Sequence, residues 1–400
     1  MIDFNLNFFF KKNNFNKSDK YLEFFEKTKL ACEKLYHEFE NNNNEILKSF
    51  TSTYQKKIRE LKKKINIKDK KAVIGFGGSS SGAKALANYL GKKIIFFDNL
   101  DYNYFFNFLE KENIKEYTFF LISKSGDTFE TLALLNLLIK TFKKIKDFNI
   151  FESIIVVTDF KDSPLKIFCD QNQIQIIEHN SNIGGRFSIL SETGMLPFIE
   201  EELLVEKGSE KYLEYLKDHD SNLSIAKNAA LILASVKKYN LDMYCNLLYN
   251  YKLKHFSYWF HQLHAESLGK NGFGLTPITS ICPKDHHSMM QLYIDGPKNK
   301  FFNIFEHSEK IYFDSFSKEG FSSIEKFSPN GLLKKQFDAV VEVFSEKQIP
   351  FRIVKINNDE DPVNIIELFS YFLLETIILG YTCGINPYDQ PAVQLIKNKI

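Results

Sequence analysis

The stretch YTFFLISKSGDTFETLALL, Tyr117–Leu135, runs from an apolar strand through a hydroxyl-rich turn straight into a helix. Backbone N–H groups at a helix start have no intrahelical acceptor and lie at the positive end of its dipole, so such a turn attracts an anion. Ser123, Ser125 and Thr128 add hydroxyls, and Lys124 adds a full positive charge. The spacing does not fit a Walker loop, which places Gly-Lys-Ser/Thr after a longer glycine run. A bare monophosphate suits the turn better. The alternative is a serine-rich turn with a capping hydroxyl and no ligand.

Outward from this stretch, short apolar runs alternate with helix-length segments from Lys71 onward, the mark of βαβ units and a mainly parallel sheet. Strands are expected at Ala72–Gly75, Ile94–Phe97, Phe119–Ile122, Ile154–Thr158 and Ile174–Ile177. A second series follows a charged helical stretch near Lys207–Asp220, with strands near Met243–Leu248, Leu275–Ile281, Phe301–Glu306 and Phe351–Ile356. The fold class is therefore α/β, with two doubly wound, mainly parallel sheets. A helical N-terminal arm is expected over 1–70, the first α/β domain over 71–220, the second over 221–360, and C-terminal helices over 361–400. No fixed-period repeat is present, and the asparagine run at 41–44 reads as a loop.

Four hundred residues with 44% hydrophobic content suit two domains with buried cores. The net charge is only +2, so the overall balance points neither to nucleic acid nor to an acidic membrane surface. The lysine run in LKKKINIKDKK is local and reads as a solvated linker or helix end, against the alternative of a basic binding patch. Five cysteines, Cys32, Cys169, Cys245, Cys282 and Cys383, are scattered without a Cys-x-x-Cys pair, which implies a reduced, cytoplasmic setting. MIDFNLNFFFKKNNF has an acid at position 3 and lacks the pattern of a signal peptide. The apolar stretch VNIIELFSYFLLETIILGY carries Glu367 and Glu375 and follows Asp361-Pro362, so it reads as a buried helix of a soluble domain rather than a membrane span.

Three further segments carry chemistry. GFGGSSSGAKAL opens a helix after the first strand, and Asp98 ends the next strand about twenty residues on, as in a dinucleotide fold. The register fails, because the third glycine position holds Ser80. A turn offering N–H groups from Gly77, Gly78 and Ser79 to a sugar hydroxyl or phosphate fits better, against the alternative of an ordinary tight βα turn. Only Arg59, Arg186 and Arg352 break the lysine bias, so a retained arginine points to a need for its planar fork. Arg186 follows two glycines in NIGGRFSILSETGMLPF, which let a guanidinium approach a ligand; the alternative is a turn arginine bound to carbonyls. In FHQLHAESLGKNG, Phe256, Phe260 and Leu263 form a buried face and put Gln262 and Glu266 four apart on another stripe. Glu266 lies near a helix C-terminus, an unfavourable place for a carboxylate unless it has work to do. KDHHSMMQLYIDG offers His287 with Gln291 on the same face; adjacent histidines point apart on a helix, and no third ligand has metal spacing.

Taken together, GFGGSSSGAKAL, SKSGDTFET, GGRFSILSETGMLP, QLHAESLGK, DHHSMMQ and PYDQPAVQLIK, in this order over 71–400, resemble the glucose-6-phosphate isomerase (phosphoglucose isomerase) family, whose two domains are of the sugar isomerase (SIS) type. The resemblance implies that Gly77, Gly78 and Ser79 line the sugar while Ser123, Lys124, Ser125 and Thr128 hold its phosphate. It makes Glu266 the base moving a proton between C1 and C2, with Gln262 beside it, and Arg186 the group facing the enediolate. His287 and Lys397 would assist ring opening, with Glu130 orienting the histidine. It also implies a homodimer with shared active sites, His287 reaching the Glu266 site of the other subunit.

This chemistry needs a carboxylate, an electrophile for the oxyanion and an acid for the ring oxygen, so no metal and no redox cofactor is expected. The expected partner is a sugar monophosphate, interconverted between the glucose and fructose forms. Broader specificity including mannose 6-phosphate is the second enzyme reading, and a non-catalytic sugar-phosphate sensor is the third. The N-terminal arm shows no helix-turn-helix pattern to support the sensor. Three features depart from the family pattern. Asp127 stands where a small or hydroxyl residue is usual and is expected to point outward, and His286 precedes the expected histidine. The chain is also short, so peripheral elements that stabilise dimers elsewhere are expected to be reduced.

Overall fold

The computed structural model describes residues 2–142, 148–198, 209–306, 329–357, 361–397 and 399. Among them are ten strands: β1 (Ile2–Asn5), β2 (Lys70–Gly75), β3 (Ile94–Phe97), β4 (Tyr117–Ile122), β5 (Ile154–Thr158), β6 (Gln175–Glu178), β7 (Met243–Leu248), β8 (Thr276–Ile281), β9 (Lys300–Phe305) and β10 (Phe351–Ile356). They form two five-stranded sheets in two compact units, one of Glu38–Glu210 and the other of Met1–His37 with Lys211–Ile400.

In the unit Glu38–Glu210 the order is β3-β2-β4-β5-β6, all parallel. Parallel strands are covered on both faces, so the central β4 has all six residues buried and is apolar apart from Thr118 and the Tyr117 hydroxyl. Helix Phe129–Phe142 lays Leu134, Leu135, Leu138 and Phe142 on this sheet at helical spacing. They join Phe97, Phe105, Phe119 and Val156 in one core. Each such side chain contributes about 1.5–3 kcal/mol by leaving water. From β2 the chain steps outward to β3 and then crosses back to β4, so its direction reverses between β2 and β4. Loops leaving these two strands diverge there and open a crevice at their carboxyl ends, where open α/β sheets bind ligands. The glycine-serine turn and the SKSGDT turn are those two loops.

The other unit has the order β1-β10-β9-β7-β8, parallel except for β1, which runs antiparallel to β10 with Ile2 opposite Ile356. The segment read as one helical arm thus begins with a strand and is divided: residues up to 37 belong to this unit, and those from 38 to the other. Helices Asp19–Glu40 and Ser52–Lys63 supply the expected helical part. The charged stretch near Lys207–Asp220 begins outside the described residues, and Ser209–Leu216 is a 3-10 helix.

Helix Val363–Thr382 is long and apolar enough to cross a membrane by length and composition, yet 94% of its most apolar window is buried in the protein. Both glutamates that interrupt it are paired. Glu367 accepts the Ile2 N–H at 2.9 Å and the Tyr215 hydroxyl at 2.6 Å, and Glu375 receives Arg352 through two bonds of 2.6 and 2.8 Å. Helix Lys254–Leu268 packs on it through Phe256, Trp259 and Phe260, with Trp259 and Phe369 edge to face at 4.6 Å. This aromatic contact fixes which stripe of helix Lys254–Leu268 remains outside the core.

Candidate active site

In the unit Glu38–Glu210, Gly77 opens the turn after β2 with φ +56, a conformation that suits glycine. Gly78 is required by contact: a Cβ there would lie 2.2 Å from the Gly185 carbonyl carbon and 2.5 Å from the Arg186 nitrogen. The NIGGRF loop is therefore seated directly on the first turn. The Ser188 hydroxyl strengthens the seat by bonding to the Gly185 carbonyl at 2.7 Å. Gly77, Gly78 and Ser79 are thus brought together with Arg186, which is buried and has its guanidinium carbon 5.0 Å from the Phe187 ring.

The turn after β4 is stitched from within. The buried Ser123 hydroxyl lies 2.9 Å from that of Thr128 and accepts the Gly126 N–H at 3.1 Å, so it holds the loop's shape. Gly126 has φ +69, and a Cβ there would lie 2.1 Å from the Ser163 hydroxyl. Ser125 and Asp127 are both exposed, and the Ser125 hydroxyl donates to the Asp127 carboxylate, which ties that carboxylate to the loop. Glu130 sits in the first turn of helix Phe129–Phe142, where its charge suits the dipole.

Lys124 is half-buried. Burial pushes its ammonium below the ordinary lysine range; Asp159 opposes this, while Arg186 and Lys161 push the same way as burial. The positive charges of Arg186 and Lys161 thus act against that of Lys124. Asp159, just past the end of β5, had no motif to announce it; its position at the carboxyl edge of a parallel strand was the available signal.

In the other unit, Gln262 and Glu266 lie on the stripe of helix Lys254–Leu268 that the aromatic contacts leave outside, both half-buried, and the Gln262 amide donates to the Glu266 carboxylate at 3.1 Å. The helix ends at Leu268, and Gly269 donates to the Ala265 carbonyl at 2.9 Å. His264 on this helix is a core residue; burial pushes its imidazole down to about 3, so it is neutral between Tyr244 and Phe260. The adjacent histidines after β8 do point apart. His286 places Nε2 2.7 Å from the Tyr249 hydroxyl, and burial followed by His287 pushes its imidazole down. His287 is exposed, as is Gln291. Lys397 is the last residue of helix Pro391–Lys397, with its side chain outside the described residues. Among the described residues, no group of three His, Cys, Asp or Glu side chains is gathered for a metal.

The family model for phosphoglucose isomerase matches residues 41–275. A glucose-6-phosphate isomerase of Campylobacter jejuni is 33% identical over 349 residues, covering 81% of this chain and 82% of the relative. One of Methanocaldococcus jannaschii is 30% identical over 348 residues, covering 83% of each chain. Among solved structures, a hypothetical protein of Thermus thermophilus superposes with TM-score 0.79 at 24% identity, over 100% of this chain and 98% of that one. A glucose-6-phosphate isomerase of Chlamydia trachomatis superposes with TM-score 0.71 at 19% identity, over 88% of this chain and 72% of that one. These two likenesses bear on the fold, while the matched residues and the sequence identities place this chain in the phosphoglucose isomerase family.

Proposed function

We propose that this protein interconverts glucose 6-phosphate and fructose 6-phosphate through a cis-enediol intermediate. The observation that carries the reading is the seating of the Arg186 segment on the Gly77–Ser79 turn at the carboxyl end of β2, in a doubly wound sheet whose neighbouring β4 ends in a hydroxyl-bearing turn. The turn Ser123–Thr128 and the positive end of helix Phe129–Phe142 suit a phosphate. Glu266, polarised by the Gln262 amide, suits the proton transfer.

In the reaction so assigned, Glu266 takes the proton from C2 of the open-chain aldose. The released electron pair forms the C1–C2 double bond as the C1 carbonyl oxygen becomes anionic. Arg186 meets the enediolate charge with its fork. The C2 hydroxyl proton passes to the C1 oxygen, and return of the abstracted proton to C1 leaves the carbonyl at C2, so no atom is gained or lost. His287 and Lys397 take the ring-opening step on the strength of the family resemblance. A homodimer in which His287 serves the other subunit's Glu266 belongs to the same proposal, and the exposure of His287 in a single chain fits it. The five thiols, all free, fit a cytoplasmic setting. A coupled assay with fructose 6-phosphate, run in parallel with mannose 6-phosphate, tests the reading. Turnover of the first is expected, and purified, folded protein inert toward it would remove the proposal.

A further inference from the structure

We propose that His179 and Glu192 form a buried ionic clasp that closes the loop carrying Arg186 and so holds the guanidinium in its working position. This deepens the reading above and rests on the role given there to Arg186. His179 follows β6 directly, and its N–H extends the sheet ladder to the Thr158 carbonyl at 2.8 Å. The chain then runs out through Gly184, Gly185 and Arg186 and returns at helix Glu192–Met195. His179 and Glu192 join the two ends, with Nδ1 2.5 Å from Oε1. The same oxygen accepts the Asn180 N–H at 3.2 Å, and the other accepts the Tyr54 hydroxyl at 2.7 Å.

Both ring nitrogens of His179 face oxygen acceptors, since Nε2 lies 3.1 Å from the Ile183 carbonyl. A neutral imidazole has one N–H, so with Glu192 ionised, as its acceptance of the Asn180 N–H and the Tyr54 hydroxyl favours, the two bonds are made together only by the doubly protonated ring. The groups around it are consistent with a charged pair. Burial works against the Glu192 charge, yet the His179 bond and charge, with Tyr54, hold its carboxyl below the ordinary range. The Thr193 hydroxyl is 3.2 Å from Nδ1, Glu45 accepts from the Asn180 amide at 2.8 Å, and Lys57, Asp159, Lys161 and Glu178 line the adjoining cavity.

The clasp matters because the loop has little slack. Gly185 is seated on Gly78 at van der Waals contact, so release at the base shifts Arg186 against a fixed first turn. A displacement of about 1 Å in such a group can cost on the order of a hundredfold in rate.

The test combines a spectrum with kinetics. In nitrogen-15 histidine-labelled wild-type protein, His179 is expected to show N–H signals at both ring nitrogens, and in Glu192→Gln only one. Glu192→Gln and His179→Gln should lower kcat about tenfold or more, with KM for fructose 6-phosphate changed by less than about twofold, because the phosphate turn is untouched. Tyr54→Phe, which leaves the ring pair intact, should lower kcat less. A single N–H on wild-type His179, or folded Glu192→Gln with wild-type kcat, overturns the clasp. The spectrum needs no substrate, so its failure condemns the clasp alone. A normal spectrum with undiminished turnover in Arg186→Lys condemns instead the role assigned to Arg186.

Discussion

Arg352 and Arg186 are both buried in a chain that, Arg59 apart, fills its other cationic positions with lysine, and they sit in different parts of the fold. Arg352 grips Glu375 with two bonds and spends its remaining donors on Asn228 at 2.9 Å, Asn303 at 2.8 Å and the Tyr244 hydroxyl at 3.0 Å. All five of its N–H donors have directions already taken by the protein, and it serves the core. Arg186 follows Gly184 and Gly185 in the 3-10 helix Gly185–Leu190, which is seated on the Gly78 turn at the carboxyl end of a parallel strand. Retention of arginine signals a need for its planar fork in both places. Only the surroundings say whether the fork is used on the protein or on a ligand.

The largest effect that sharpens this contrast lies on the structural side. Glu375→Gln strips the countercharge from a guanidinium whose side chain is 1% exposed, and should cost about 3–5 kcal/mol of stability. Urea unfolding measures it, and a loss under about 1 kcal/mol would mean that charge pairing is not what holds Arg352. Glu266→Gln should do the reverse: kcat down at least about a hundredfold, the low end for a general base, with an unchanged unfolding midpoint. Most of the turnover surviving would place the base elsewhere. A smaller signal comes from mixing. Glu266→Gln and His287→Ala chains are each expected to be inactive, but co-refolded they should recover about a quarter of wild-type activity per subunit, from half heterodimers with one good site each. Verified heterodimers without activity would show that both residues act within one chain.

The sequence made some of this legible and hid the rest for physical reasons. β4 and its turn were readable because a central parallel strand is apolar on both faces and ends where a helix must be capped. Gln262 and Glu266 were readable because i, i+4 spacing alone places them on one stripe. β1 was not, since four alternating residues carry little signal and their partner, β10, lies some 350 positions away. The hydroxyl of Ser123, expected at the phosphate, also bonds Thr128 and Gly126, a use that depends on loop curvature no spacing reveals. His179 and Glu192 were invisible for the same reason: thirteen residues apart, they meet only because the intervening loop turns back.

The most direct test of the contrast between the two arginines is one substitution read in two ways. Arg186→Lys keeps the charge and removes the fork, and its kcat and thermal midpoint should be measured on the same preparation. We expect kcat to fall by about tenfold or more, with the midpoint within about 2 °C of wild type, because the fork is used on the enediolate. Wild-type kcat together with a midpoint lowered by many degrees would show that Arg186, like Arg352, belongs to the core.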